Sequence, residues 1–306
     1  MKKEKIIAIV GPTSSGKSDL AVEIALKFQP KNQKKTEIQG MEIISADSRQ
    51  VYRGMDIGTG KITPEEMRDI PHHLLDIASP KRKFSVAQFQ KQTLKIIHKI
   101  YKNNKIPIIC GGTGFYIQAI IDGLIIPEGK PNPKLRAKLE KLTTEKLFKK
   151  LQKLDIRRAK NIDKNNRRRL IRALEIVLIS KKPVPRIKMQ SLFNPLFIGI
   201  KRPTEKLEKL IRERLLKRLE MGMIKEIKKL KKSGVSWKRL EEFGLEYRWV
   251  AYYLQKKISY EEMVECLQKK IEQYAKRQMT WFKRDQRIHW VKNKKEAIEL
   301  VKEFLK

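Results

Sequence analysis

Apolar residues along the first 122 positions alternate between two rhythms. Ile6-Ile7-Ala8-Ile9-Val10 is an unbroken apolar run, the pattern of a strand buried on both faces. Leu20, Ile24 and Phe28 then recur at every fourth position and predict a helix behind it. Glu42-Ile43-Ile44-Ser45 predicts a second strand and 106–110 a third. Between them Phe89, Leu94, Ile97 and Ile100 predict a helix over 88–101, and another follows near 116–121. Strands and helices taken in turn, with the strands apolar throughout, imply a parallel sheet covered on both sides.

The rhythm then changes. Residues 128–133, Glu-Gly-Lys-Pro-Asn-Pro, form a turn-rich break, and 133–180 read as basic helix with Leu135, Leu139 and Leu142 on one face. A second break, Lys182-Pro183-Val184-Pro185, precedes Leu196-Phe197-Ile198-Gly199-Ile200, where the sheet is expected to resume. From 204 to 306 the chain reads mostly as amphipathic helix, with Leu207, Ile211, Leu215, Leu219, Met223, Ile227 and Leu230 at three/four spacing. The predicted organisation is an α/β core, 1–123 and 196–306, interrupted by a basic helical insertion, 124–195.

Charge sharpens that division. The 306 residues carry 71 Lys and Arg against 34 Asp and Glu, a net +37, while 40% hydrophobic residues suffice for a core. Such a balance asks for an acidic partner, nucleic acid before others, because each phosphate neutralised releases counterions. A Lys-rich proteome would raise every surface alike, but the excess is local. Segment 124–195 holds 21 Lys and Arg against 6 Asp and Glu, net +15 over 72 residues. No membrane span is expected, since the longest purely apolar runs are about five residues and ~20 are needed. Met1-Lys2-Lys3 before the first run does not make a secretory leader, because the apolar stretch is short and a phosphate motif follows at once. Cys110 and Cys266, far apart, allow neither a zinc cluster nor a disulfide framework and fit a reducing cytoplasm.

Gly11-Pro12-Thr13-Ser14-Ser15-Gly16-Lys17-Ser18 matches G-x-x-x-x-G-K-[ST] in full, between a predicted strand and a predicted helix. Its backbone amides would curl around a di- or triphosphate, as in ATP-binding proteins. Lys17 would neutralise phosphate oxygens and Ser18 would reach Mg²⁺. The core is therefore expected to be P-loop NTPase-like. No N-K-x-D motif occurs, against a GTPase, while a nucleotide kinase stays open at this point. Asp47 follows the second strand, where strand ends line one crevice; it would be a general base, a holder of Mg²⁺ through water, or simply a helix cap. Cys110-Gly111-Gly112-Thr113-Gly114 repeats the geometry after the third strand, and Gly58-Thr59-Gly60-Lys61 reads as a loop covering the site. His72 and His73 lack a third metal ligand, Cys110 reads as an inert buried thiol, and Trp281, Phe282 and Trp290 read as core.

One ordered series is specific. After the phosphate loop come Ser45-Ala46-Asp47-Ser48-Arg49-Gln50-Val51-Tyr52, Met55-Asp56-Ile57-Gly58-Thr59, Pro71-His72-His73-Leu74-Leu75-Asp76 and Gly111-Gly112-Thr113. Arg169-Leu170-Ile171-Arg172-Ala173-Leu174-Glu175 and Tyr274-Ala275-Lys276-Arg277-Gln278-Met279-Thr280-Trp281-Phe282 complete it. From about residue 6 to 290 the chain resembles the tRNA dimethylallyltransferases. The resemblance implies transfer of a prenyl group from dimethylallyl diphosphate to N6 of the adenosine 3′ of the anticodon, with the phosphate loop holding the leaving diphosphate. It implies Asp47 as the base, Thr113 beside the target and the diphosphate, and Lys17 and Arg214 on the phosphates. It further implies tRNA contacts at Asp47, Ser48, Arg49, Gln50, Thr113 and Arg136, at Arg168, Arg169, Leu170, Ile171 and Arg172, and at Phe243, Gly244, Leu245, Glu246, Tyr247 and Arg248. The insertion would then bind the anticodon stem-loop, and the enzyme would be a cytoplasmic monomer using Mg²⁺. Ile271-Glu272 and Leu210 depart from the family pattern, at secondary phosphate contacts. An adenylate isopentenyltransferase would share the loop and Asp47 but would have little need of a basic insertion. A small-molecule kinase would leave the Gly-Gly-Thr and Tyr-Ala-Lys-Arg-Gln blocks without a role.

Overall fold

The computed structural model describes residues 3–30, 38–127, 132–186 and 188–306. Residues 128–131 of the first predicted break lie outside them. The chain divides into two units, 1–123 with 191–306, and 124–190.

The first unit begins β1 (Glu4–Val10), α1 (Lys17–Lys27), β2 (Met41–Ser45), α2 (Pro64–Met67), β3 (His72–His73), α3 (Val86–Lys102), β4 (Ile106–Gly111) and α4 (Gly114–Ile121). The second unit is helical: α5 (Pro133–Glu140), α6 (Thr144–Leu154), α7 (Ile156–Lys160) and α8 (Arg167–Ser180). The first resumes with β5 (Phe193–Ile200), α9 (Thr204–Glu220), α10 (Met223–Lys232), α11 (Trp237–Phe243), α12 (Leu245–Leu254), α13 (Tyr260–Phe282), β6 (Ile288–Val291) and α14 (Lys294–Leu305).

The sheet order is β3-β2-β4-β1-β5-β6, with every pairing parallel. Side chains of β1 alternate between its two faces, as a period of two requires. Ile7 and Ile9 join α1 and α14 through Leu20, Ile24, Ala297 and Val301. Ile6, Ala8 and Val10 join α3 and α4 through Phe89, Ile97, Ile117 and Ile120. A third cluster, in the helices after β5, packs Ile211, Leu215, Met223, Tyr247, Met263 and Leu267. Parallel strands leave their carboxyl ends together, so the turns after β1, β2 and β4 share one rim.

Two expectations need correction. β5 starts at Phe193, not 196, because Pro195 falls where β5 pairs with β1 alone; β6 joins only from Phe197, and such an edge tolerates a residue without an N–H. The C-terminal region is not wholly helical, since Ile288-His289-Trp290-Val291 forms β6 on β5. Four residues are too short a run to stand out against Lys-rich helix. The apolar positions read from Leu207 to Leu230 fall on two helices, turned at Gly222, whose φ of 100° suits glycine. In the second unit Leu139, Leu147, Leu151, Leu170 and Leu174 make a separate core. Among the described residues, no helix is long and apolar enough to cross a membrane.

Candidate active site

The phosphate loop turns from β1 into α1 through Gly16, which caps the helix at φ 88°, and Ser14, at φ 58°. Ser15 Oγ is buried with no hydrogen-bond partner among the described residues, an unused donor inside the loop. Lys17 Nζ donates to Pro12 O at 3.1 Å. Burial lowers the Lys17 pKa; Arg214 and Arg218 push the same way, while Asp47 opposes them. Gln278 staples two turns together: its Oε1 accepts Thr13 N at 2.8 Å and its Nε2 donates to Gly112 O at 2.9 Å. A Cβ at Gly112 would lie 2.1 Å from that Nε2, and one at Gly111 would lie 2.4 Å from Ala46 O. Close approach explains the double glycine.

No helix starts at Asp47, against the cap reading; its carboxylate instead braces a turn. Its Oδ1 accepts Arg49 N at 2.7 Å and Gln50 N at 3.3 Å. Thr113 Oγ1 accepts Ser48 N at 3.1 Å, so carboxylate and hydroxyl brace the same turn. Asp47 Oδ2 makes no hydrogen bond among the described residues. Asp47 and Thr13 of the phosphate loop line one cavity of about 360 Å³, as do Ser48, Arg49 and 243–248. The size suits a small ligand and a base edge.

Several side chains of that predicted set are engaged internally. Arg49 Nε donates to Phe243 O at 2.8 Å, and Arg248 Nε to Glu241 O at 2.9 Å. Gln50 accepts Ser45 Oγ at 3.1 Å and donates to Gly60 O at 3.2 Å. Phe243 and Tyr247 are buried in the helical core. The side chains of Leu170 and Ile171 are buried in the core of the second unit; on α8 it is Arg168 and Arg169 that are exposed.

The 56–61 loop is gripped from beneath. The Glu226 carboxylate accepts Asp56 N at 2.8 Å, Ile57 N at 2.7 Å and Gly58 N at 3.1 Å, and also the Tyr247 hydroxyl at 2.8 Å. Lys61 bonds Asp56, Asp76 and Tyr52 O, so it closes the loop internally, whereas Gly58 and Thr59 line the cavity. Arg214 is exposed as a residue, yet its Nη2 donates to Gly60 O at 3.2 Å. There desolvation, followed by the neighbouring Arg218, brings its pKa down to about 10.

In the second unit, Glu175 is fully buried and accepts Arg136 Nε and Nη2 at 2.8 and 2.7 Å, Arg172 Nη1 at 2.7 Å and Asn132 N at 2.8 Å. His73 Nε2 lies 2.7 Å from Glu42, and no group of three or more His, Cys, Asp or Glu among the described residues could hold a metal by itself. Burial raises the Cys110 thiol to about 11, as an inert thiol requires. Phe282 is core, but Trp281 is 36% exposed and lies against Gly114, so it is not. Sequence reasoning missed Gln278, Arg218, Glu226 and Arg202, whose Nε donates to Ser15 O at 3.3 Å. Gln278 stood inside the Tyr274–Phe282 block, and Arg218 stands one helical turn beyond Arg214, where i and i+4 share a face.

A parallel sheet with a phosphate loop after its first strand and a carboxylate across the rim defines a P-loop NTPase-like enzyme. The family model described as IPP transferase matches residues 50–285. A tRNA dimethylallyltransferase of Carboxydothermus hydrogenoformans is 40% identical over 309 residues, covering 98% of this chain and 96% of the relative. The tRNA isopentenylpyrophosphate transferase of Bacillus halodurans, a crystal structure, superposes with a TM-score of 0.73 at 35% identity, over 99% of this chain and 97% of that one. A eukaryotic dimethylallyltransferase acting on tRNA gives 0.75 at 27% identity, over 91% and 69%. The chain belongs to the tRNA dimethylallyltransferase family.

Proposed function

We propose that this enzyme transfers a dimethylallyl group from dimethylallyl diphosphate to the exocyclic N6 of the adenosine 3′ of the anticodon in tRNA. The allylic C–O bond breaks, the C–N6 bond forms, and N6 gives up a proton. Adenine's amine is a poor nucleophile because its lone pair is delocalised into the ring, so a base within hydrogen-bond reach is required. Asp47 Oδ2 is that base: Oδ1 is spent on the turn, which fixes the carboxylate, and Oδ2 has no donor among the described residues. This division of the two oxygens, in a cavity shared with Thr13, is the observation that carries the reading. The hydroxyl of Thr113, whose oxygen accepts Ser48 N, keeps its proton for the target or the leaving group.

The departing diphosphate gains negative charge, which the loop amides, Ser15 Oγ, Lys17 and Arg214 stabilise. Mg²⁺ fits as an ion carried by the phosphates, since it binds through few protein ligands and many phosphate and water oxygens; Ser18 would be its protein ligand. It would neutralise leaving-group charge. A stacked adenosine must be extruded to reach Asp47. The exposed Arg168 and Arg169 of the basic insertion serve tRNA phosphates.

Incubation with labelled dimethylallyl diphosphate, Mg²⁺ and either unmodified tRNA or AMP tests the reading. Label should enter tRNA; label in AMP alone, or phosphate moved from ATP with no prenyl transfer, would replace it with one of the two alternatives.

A further inference from the structure

Two guanidiniums converge over Gly60. A Cβ built there would lie 1.8 Å from Arg218 Nη2 and 2.6 Å from Arg214 Nη2, and its φ of 56° suits glycine. Like charges do not gather without a reason. Arg218 Nη1 donates to Glu246 Oε1 at 3.2 Å and reaches Gly58 O at 3.4 Å, and the side chain is only 10% exposed. Its Nη2 has no hydrogen-bond partner among the described residues, yet Arg218 lines the cavity beside Thr13 and Asp47. Arg214 has a carbonyl and no carboxylate. Lys17 lies within electrostatic reach of both arginines. Asp47, Glu246, Glu66 and Asp19 lie within electrostatic reach of these cations, and Glu246, which bonds Arg218, is buried, with a pKa that desolvation raises against the pull of Arg218. The guanidinium of Arg218, bonded only through Nη1 among the described residues, borders the space that a diphosphate would fill.

We infer that Arg218 is a diphosphate-binding residue, held by Glu246 and the Gly58 carbonyl so that its free Nη2, together with Arg214, meets the phosphate farther from the phosphate loop. The inference rests on the diphosphate reading of this cavity. It also gives Glu246 a different task from touching tRNA: Glu246 is a positioning residue that keeps the Arg218 fork in place. A fork with one nitrogen anchored and the other open is preorganised for an oxyanion.

Calorimetric titration of the full chain with inorganic pyrophosphate and Mg²⁺ tests this, alongside KM for dimethylallyl diphosphate and Kd for an anticodon stem-loop. Arg218→Met should weaken pyrophosphate binding about ten- to a hundredfold, the usual scale for a lost charge-assisted hydrogen bond. The stem-loop Kd should stay within about twofold. Arg218→Lys, which keeps charge and fold but loses the fork, should fall between Arg218→Met and the parent. Glu246→Gln should raise KM more than it lowers kcat. If Lys17→Ala loses pyrophosphate while both Arg218 variants bind it normally, the inference is overturned and the diphosphate reading stands. If neither Lys17→Ala nor Arg218→Met changes pyrophosphate binding, both fall. A lowered melting temperature with unchanged pyrophosphate affinity would make Arg218 purely structural and overturn the inference as well.

Discussion

Buried glutamates meet arginines in both units of this chain, and they end in opposite electrostatic states. In the 124–190 unit burial pushes the Glu175 carboxyl up, but hydrogen bonds from Arg136, Arg172 and the Asn132 amide outweigh it and hold the pKa at about 2. In the sheet-bearing unit Glu246 has one arginine, Arg218, bonded to it among the described residues, and there burial outweighs the opposing charges and the pKa rises. The number of donors set against desolvation decides which way a buried carboxylate goes. The Glu175 cluster is a structural knot that spends its guanidiniums on the fold. The Glu246 cluster keeps cationic capacity for a ligand. On the proposed reading, chemistry lies with the sheet-bearing unit and tRNA phosphates with the insertion, and substitutions should separate them.

The largest effect should come from Asp47→Ala, with single-turnover prenyl transfer falling about 10²–10⁴-fold while tRNA affinity survives. Loss of binding with an intact rate per bound complex would reverse the assignment of roles. Next, Glu175→Gln should cost the insertion about 3 kcal/mol, read by denaturant unfolding and amide exchange of α5 and α8. The same knot has a pH signature. A folded carboxyl near 2 against an unfolded one near 4.5 contributes stability that is complete above 4.5 and lost as pH falls toward 2. The Gln variant should lack that acid limb; an identical acid profile would mean that Glu175 is not the group responsible.

Arg168→Glu is a smaller perturbation on the exposed face of α8. It should weaken tRNA binding and lower the magnitude of the salt slope by about 1, with the single-turnover rate at saturating tRNA unchanged. A slope equal to that of the parent would take Arg168 out of the interface. The smallest effect belongs to Tyr247→Phe, which removes one of four donors on Glu226 and should cost about 1 kcal/mol with a slight rise in KM for the diphosphate. A large effect on tRNA affinity instead would show that this residue answers to the other substrate.

Legibility followed locality. β1, β2 and β4 were readable because each is an unbroken apolar run, and the phosphate loop because its eight residues are consecutive. β6 escaped because four alternating residues gain meaning only beside β5. Leu170 and Ile171 stood in a motif between arginines, and the motif says nothing of which way a helix face turns; packing against Leu147 and Leu151 settled it. Asp47 could be read as base or helix cap; no helix follows it, and one oxygen braces a turn while the other is open among the described residues.

From its order of residues alone this protein was bound to have a phosphate loop between a buried strand and a helix, an acidic residue at the next strand end and a basic insertion. Backbone geometry, apolar periodicity and net charge act over a few neighbouring positions. Tertiary structure alone decided that Gln278 would brace Thr13, 265 residues away, and that Glu246 would hold Arg218, 28 away, above a glycine whose φ of 56° suits no side chain. Hydrogen bonds and like-charge convergence across such separations depend on where the fold returns the chain, and no local pattern records that return.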